Sequence, residues 1–234
     1  MTKGPRGLDR CPSSCRRTGR PEPLVAFDYL REPAAIYRRS FAIVETETDW
    51  STVPADLRPV VGRMIHACGM PEIVADLAWS DDLVPTATAA LAGGAPVVCD
   101  CRMVRYGLIE AMLPAANPVR CVLDALADAP VVDDTRSARA IDAAGAWLDG
   151  AVVVIGNAPT ALFRLLERCL EGRTRPAAIL GLPVGFVGAA ESKAALARLA
   201  PAPFLTLHGR RGGSAIAAAA LNALAGQARQ RGAA

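Results

Sequence analysis

The sequence predicts an α/β protein with a mostly parallel sheet, and three observations carry that prediction. From residue 95 onward, short apolar runs alternate with stretches of helical period. Glycine-containing turns separate the later runs from the helices that follow them. Hydrophobic residues make up 52% of the 234 positions, enough for a substantial core in one large domain.

Residues 1–23 are rich in Arg, Pro, Ser and Gly and contain no apolar run. They read as a disordered extension with no secretory leader, and residues 24–234 as a single domain. Residues 31–93 read as mainly helical. Within them Leu57, Val60, Val61, Met64, Ile65 and Cys68 fall on one stripe of a 3.6-residue period, which leaves Arg58, Gly62, Arg63 and His66 off that stripe. Gly62 leaves a gap on that face through which a bulky ligand would approach.

Residues 95–100 and 120–123 read as strands, followed by a helix over 135–148 with Thr135 as its cap. A third strand, 151–156, leads to Asn157 or Ala158 as a cap, Pro159 in the first turn, and an amphipathic helix over 161–170. Residues 177–182 repeat the strand, ahead of a glycine-rich turn and a helix over 190–199. The last strand, 204–208, passes through Gly209-Arg210-Arg211-Gly212-Gly213-Ser214 into a small-residue helix ending near Gly226. These three turns follow the carboxyl ends of parallel strands, where open α/β sheets bind ligands. Their glycines, Gly212 and Gly213 among them, permit close backbone approach, and free N–H groups at the helix starts attract anions.

Composition removes several function classes. The net charge is only +3, the arginines are scattered and aromatic residues make up 5% of the chain, so nucleic acid is not the expected partner. No apolar run approaches the ~20 residues of a membrane span, and a cytoplasmic location is the default. Of the 26 basic residues only Lys3 and Lys193 are lysines, and arginine suits bidentate recognition of carboxylate or phosphate. Seven cysteines, most of them in apolar patterns, read as reduced thiols. Neither Cys99-Asp100-Cys101 nor Cys11 with Cys15 supplies the four ligands of a structural zinc, so no metal is expected. The glycines between Gly181 and Gly188 depart from G-x-G-x-x-G, no Walker lysine is present, and no G-x-S-x-G elbow occurs.

Candidate chemistry gathers around His66, one of two histidines with His208. An imidazole gains and loses a proton near neutral pH, which suits it to acid–base work. Arg63 lies one turn away on the same face. Tyr37-Arg38-Arg39-Ser40-Phe41 places a phenol, two guanidiniums and a hydroxyl within about one helical turn, as groups to orient a polar ligand. Arg136, in Thr135-Arg136-Ser137, sits at a helix start where anions are already favoured.

Six segments in this order resemble the precorrin-8X methylmutase family: Ile36 to Phe41, Arg63 to Gly69, Thr135 to Ser137, Gly156 to Leu162, Gly185 to Lys193 and Gly209 to Ser214. The resemblance covers roughly residues 27 to 226. It implies a three-layer, flavodoxin-like fold and a cytoplasmic homodimer with active sites at the subunit interface. It implies an isomerase of cobalamin biosynthesis that moves a methyl group from C11 to C12 of the tetrapyrrole, precorrin-8X or cobalt-precorrin-8, giving hydrogenobyrinic acid or its cobalt-containing equivalent, with no cofactor. By motif, His66 is then the proton donor and acceptor. Arg63, Ser40, Tyr37 and Arg136 hold the substrate, along with Gly212, Gly213 and Ser214 of the last turn. Two other readings remain at this level: a non-catalytic corrinoid carrier, and a flavodoxin-like nucleotide or flavin protein.

Overall fold

The structure is a computed structural model and describes residues 27–126 and 134–232. The expected extension over residues 1–23, with Cys11 and Cys15, lies outside the described residues. The chain opens with α1 (Pro33–Glu47), whose start is capped by Glu32: its carboxylate accepts from the Ala34 and Ala35 N–H groups. Next comes α2 (Arg58–Cys68), which ends at Gly69 in the left-handed region, with the Gly69 N–H donated to Ile65 O.

A 3-10 turn over Pro71–Asp76 leads into β1 (Leu77–Trp79), then α3 (Leu83–Ala92), β2 (Val97–Cys99), α4 (Arg102–Gly107) and β3 (Val119–Cys121). The second half alternates regularly: α5 (Arg136–Ala144), β4 (Val152–Ile155), α6 (Pro159–Leu170), β5 (Ala178–Gly181), α7 (Ala189–Leu199), β6 (Phe204–Leu207) and α8 (Ser214–Gly232). The helix expected over 135–148 gives way at Gly145, whose positive φ breaks the α ladder, to a 3-10 turn.

The sheet order is β1-β6-β5-β4-β2-β3, parallel throughout except for β1, which runs antiparallel to β6. Without β1, the five parallel strands have the flavodoxin-like order 2-1-3-4-5. The mainly helical reading of residues 31–93 therefore missed an edge strand. Leu77, Ala78 and Trp79 are too few to show alternation, and their pairing with Leu207, Thr206 and Leu205 defines the strand.

Successive strand residues point to opposite faces, and the core divides accordingly. Cys99, Val152, Val154, Leu180 and Leu205 pack under α2, α3, α4 and α8. Val98, Val153, Ile155, Ile179 and Phe204 pack under α5, α6 and α7. This is the three-layer arrangement. α8 is rich in alanine because its neighbours approach closely: a Cβ on Gly107 would stand 2.8 Å from Ala218 Cβ, and one on Gly156 would stand 3.0 Å from Ala217 Cβ. Among the described residues no helix is long and apolar enough to cross a membrane. The five described cysteines are all free thiols.

Candidate active site

β1 begins at the edge of the sheet where the parallel strands end, because it runs antiparallel to β6 and pairs Leu77 with Leu207. The turn that feeds it, and the end of α2 before that turn, therefore sit at the carboxyl edge. His66 lies in the last turn of α2 with its ring exposed. Its Nδ1 is 2.8 Å from Ser40 Oγ of α1. The Phe41 ring stacks on the imidazole, with centroids 5.1 Å apart and planes 24° from parallel. The Tyr37 ring lies 6.3 Å from it and packs against Phe41. Ser40, Ile43, Glu47, His66, Gly69 and Pro71 line a cleft of about 180 Å3 here.

Arg63 is half-buried one turn back along α2 and makes no ion pair among the described residues. Arg58 is committed elsewhere: Nε donates to Val53 O and Nη2 to Trp50 O. The gap expected at Gly62 is closed by the protein itself, since a Cβ there would meet Phe41 and Trp50.

The turn between β6 and α8 approaches this corner from the neighbouring strand. Its backbone is held at several points. The His208 N–H donates to Asp76 O, the Gly213 N–H to Leu182 O, and the Gly185 N–H to Arg210 O. The wholly buried Lys193 of α7 donates from Nζ to Arg211 O. Burial holds the Lys193 ammonium down to about 8, with Asp76 working in the other direction. A Cβ on Gly212 would stand 2.4 Å from Leu182 O, so glycine is required where two turns touch backbone to backbone. The close approach that Gly212 makes in the structure is thus to the β5–α7 turn. Ser214 Oγ lies 3.5 Å from Cys101 Sγ, buried at the start of α8.

The crevice between β2 and β4 is where the strand order reverses, the position at which flavodoxin-like sheets bind phosphate-bearing cofactors. Here it is filled by Asp100. One carboxylate oxygen accepts the Gly156 N–H at 2.9 Å, and the other accepts those of Asn157 and Ala158 at 2.8 Å each. Burial raises the pKa of this carboxyl, while the three N–H donors oppose the rise. The free N–H groups expected ahead of α6 are occupied by the protein's own anion, which would repel a phosphate. That geometry disfavours the nucleotide and flavin reading.

Ser40, Tyr37, Arg63 and His66 are brought to one corner, and Gly212 and Gly213 to the adjoining turn. Arg136 is not brought there: it begins α5 on the other face of the sheet, behind Thr135, whose Oγ1 donates to Thr160 Oγ1. Sequence reasoning assigned no role to Asp100, Lys193 or Phe41. An acid directly after an apolar strand, and one of only two lysines in an arginine-rich chain, were the available signals. Among the described residues no group of three or more His, Cys, Asp or Glu is arranged to hold a metal.

The family model for precorrin-8X methylmutase matches residues 35–227. A precorrin-8X methylmutase of Pseudomonas aeruginosa is 52% identical over 203 residues, covering 85% of this chain and 97% of that protein. A cobalt-precorrin-8 methylmutase of Priestia megaterium is 34% identical, covering 82% and 87%. Among solved structures, the precorrin-8X methylmutase of Thermus thermophilus superposes with a TM-score of 0.78 at 39% identity, covering 85% of this chain and 98% of that one.

Proposed function

The chain belongs to the precorrin-8X methylmutase family and is an isomerase of cobalamin biosynthesis acting on a tetrapyrrole, and from that premise we propose that His66 is its proton donor and acceptor. The observation that carries this is the contact between Ser40 Oγ and His66 Nδ1 on an otherwise exposed ring. In the imidazolium form Nδ1–H is donated to Ser40 Oγ and Nε2–H is left free to pass a proton to the macrocycle, after which the neutral ring recovers one at Nε2. The Phe41 stack fixes the plane in which it does so. Protonating ring C draws electron density from the conjugated system and eases the methyl shift from C11 to C12. One bond to the methyl carbon breaks, one forms, and the proton is returned, so substrate and product, hydrogenobyrinic acid, are isomers.

The metal-free ring is the proposed substrate, because relatives named precorrin-8X methylmutase share 52% and 51% identity with this chain, against 34% and 37% for two named for the cobalt form. Arg63 and Tyr37 border the imidazole and suit the ring's acetate and propionate fringe. The Gly212–Gly213 backbone lies in the adjoining turn, whereas Ser214 is buried against Cys101 at the start of α8.

A homodimer accounts for two further features. α1 buries only Val44 in its own chain and leaves Ile36, Tyr37 and Ile43 exposed beside His66. Arg136, remote from His66 within one chain, reaches such a site from a second copy. His66→Ala and His66→Asn are expected to bind hydrogenobyrinic acid while turnover of precorrin-8X falls roughly 10²–10⁴-fold, the usual contribution of a positioned acid–base group. Conversion is read from the change in visible absorption, and unimpaired turnover by either variant removes His66 from this role.

A further inference from the structure

Beside the cleft at His66, Glu47 and Pro71 also line a neighbouring depression of about 580 Å3, walled by Asp49, Thr52, Glu72 and Val74, so the two share a wall. Three carboxylates make a poor lining for a ring that is itself fringed with carboxylates.

Arg211 changes that balance. Its Nη1 stands 3.8 Å from Glu72 Oε1 and 3.7 Å from Asp76 Oδ2. Both separations exceed the ~2.7–2.9 Å of a charge-assisted hydrogen bond. The three side chains are 39–58% exposed, and ion pairs in such settings are weak. The guanidinium is therefore loosely committed. Its backbone is not: the Arg211 carbonyl accepts from buried Lys193, and Gly212 beside it is wedged on Leu182. A fixed backbone thus holds a loosely paired cation beside Glu72, in the wall of the depression.

We propose that Arg211 is a substrate-binding residue that exchanges partners: on binding, its guanidinium leaves Glu72 and Asp76 and takes one peripheral carboxylate of the tetrapyrrole. This rests on the reading that the ring occupies the His66 cleft. The planar fork of arginine donates to a carboxylate bidentately, a better contact than either long pair it leaves. Glu72 then acts as a resident competitor that recaptures the cation as product departs.

A double-mutant cycle on product binding tests the exchange. Hydrogenobyrinic acid is titrated into the full-length wild type, Arg211→Gln, Glu72→Gln and the double variant, at low ionic strength, with thermal unfolding run on each. Arg211→Gln is expected to weaken binding roughly ten- to a hundredfold, the scale of losing one contact to a charged group, and in turnover the loss falls on KM. Glu72→Gln is expected to tighten binding severalfold, and that gain should vanish when Arg211 is also replaced. Parallel weakening by both single variants would mean that the pair is only a latch between two turns. Equal tightening by Glu72→Gln with and without Arg211 would mean simple repulsion by Glu72. Either result, or unchanged binding by Arg211→Gln, overturns the proposal. Should Arg211→Gln fail to fold, Arg211→Lys takes its place, with a smaller loss expected because the charge stays and the fork goes. The His66 variants, read by turnover, report separately on the placement of the ring.

Discussion

Ser40 and Phe41 are consecutive in α1 yet serve the same imidazole in different ways, one bonding Nδ1 and the other stacking on the ring face. Neither contact is local, since each spans some two dozen residues of chain. Lys193 shows the opposite side of burial. Its ammonium is held down to about 8 from an ordinary value of 10.5, first by desolvation. Between those two values the unfolded chain carries a proton that the native state has released. The Lys193 contribution to stability therefore rises as pH climbs from 8 to 10.5 and is constant, at its least favourable, below 8. That window corresponds to ~3 kcal/mol. Lys193→Met is expected to lose this dependence, so the difference in unfolding free energy between wild type and variant should change by about that amount. Urea titrations at the two ends of the window read it, and a constant difference would show that Lys193 does not titrate there.

At the scale of elements, the turn between β4 and α6 is organised by a residue from another strand. Ala158 occupies the cap position of α6 without a capping side chain, Pro159 fills the first helical position, and Asp100 supplies the missing acceptor from the end of β2. A neutral amide in its place offers one acceptor oxygen where two served, and turns an N–H group toward backbone donors. Asp100→Asn is expected to destabilise the protein by ~2–3 kcal/mol, the cost of orphaning buried N–H groups less the relief of an expensive buried charge. A lowered midpoint in guanidinium denaturation is the readout, and an unchanged midpoint would show that the turn is held without it. Through Pro159 and Thr160 the same turn supports Thr135 and the start of α5, so the substitution also tests how Arg136 is positioned.

For the whole molecule, the carboxyl edge of the sheet is divided between two uses. Asp100 fills the β2/β4 crevice, and the corner proposed as the active site lies at the β6/β1 end, where an antiparallel strand returns the chain after the His66 helix. The open face of α1 beside that corner is the expected contact with a second copy. Sedimentation should give about twice the chain mass of 24.4 kDa. Ile36→Glu, which places a charge on the exposed apolar face, should shift the protein toward monomer and reduce turnover with it. A wild type that sediments as a monomer while fully active would remove the dimer from the mechanism.

By itself the sequence determined what depends on short-range pattern. The alternation of apolar runs with helical stretches announced the parallel sheet. The stripe through Val60, Val61, Met64 and Ile65 placed His66 on the outer face of α2, and the order of six segments pointed to the family. Periodicity and motif spacing are properties of neighbouring residues, so they survive in a linear text. The tertiary structure alone decided the rest. Three residues of β1 become a strand only against β6, and the gap at Gly62 is closed by Phe41 and Trp50. Asp100 meets its three donors 56 to 58 residues later, and Ser40 meets His66 across 26. A hydrogen bond needs its partners within about 3 Å, and only the packed chain brings residues so distant in sequence that close.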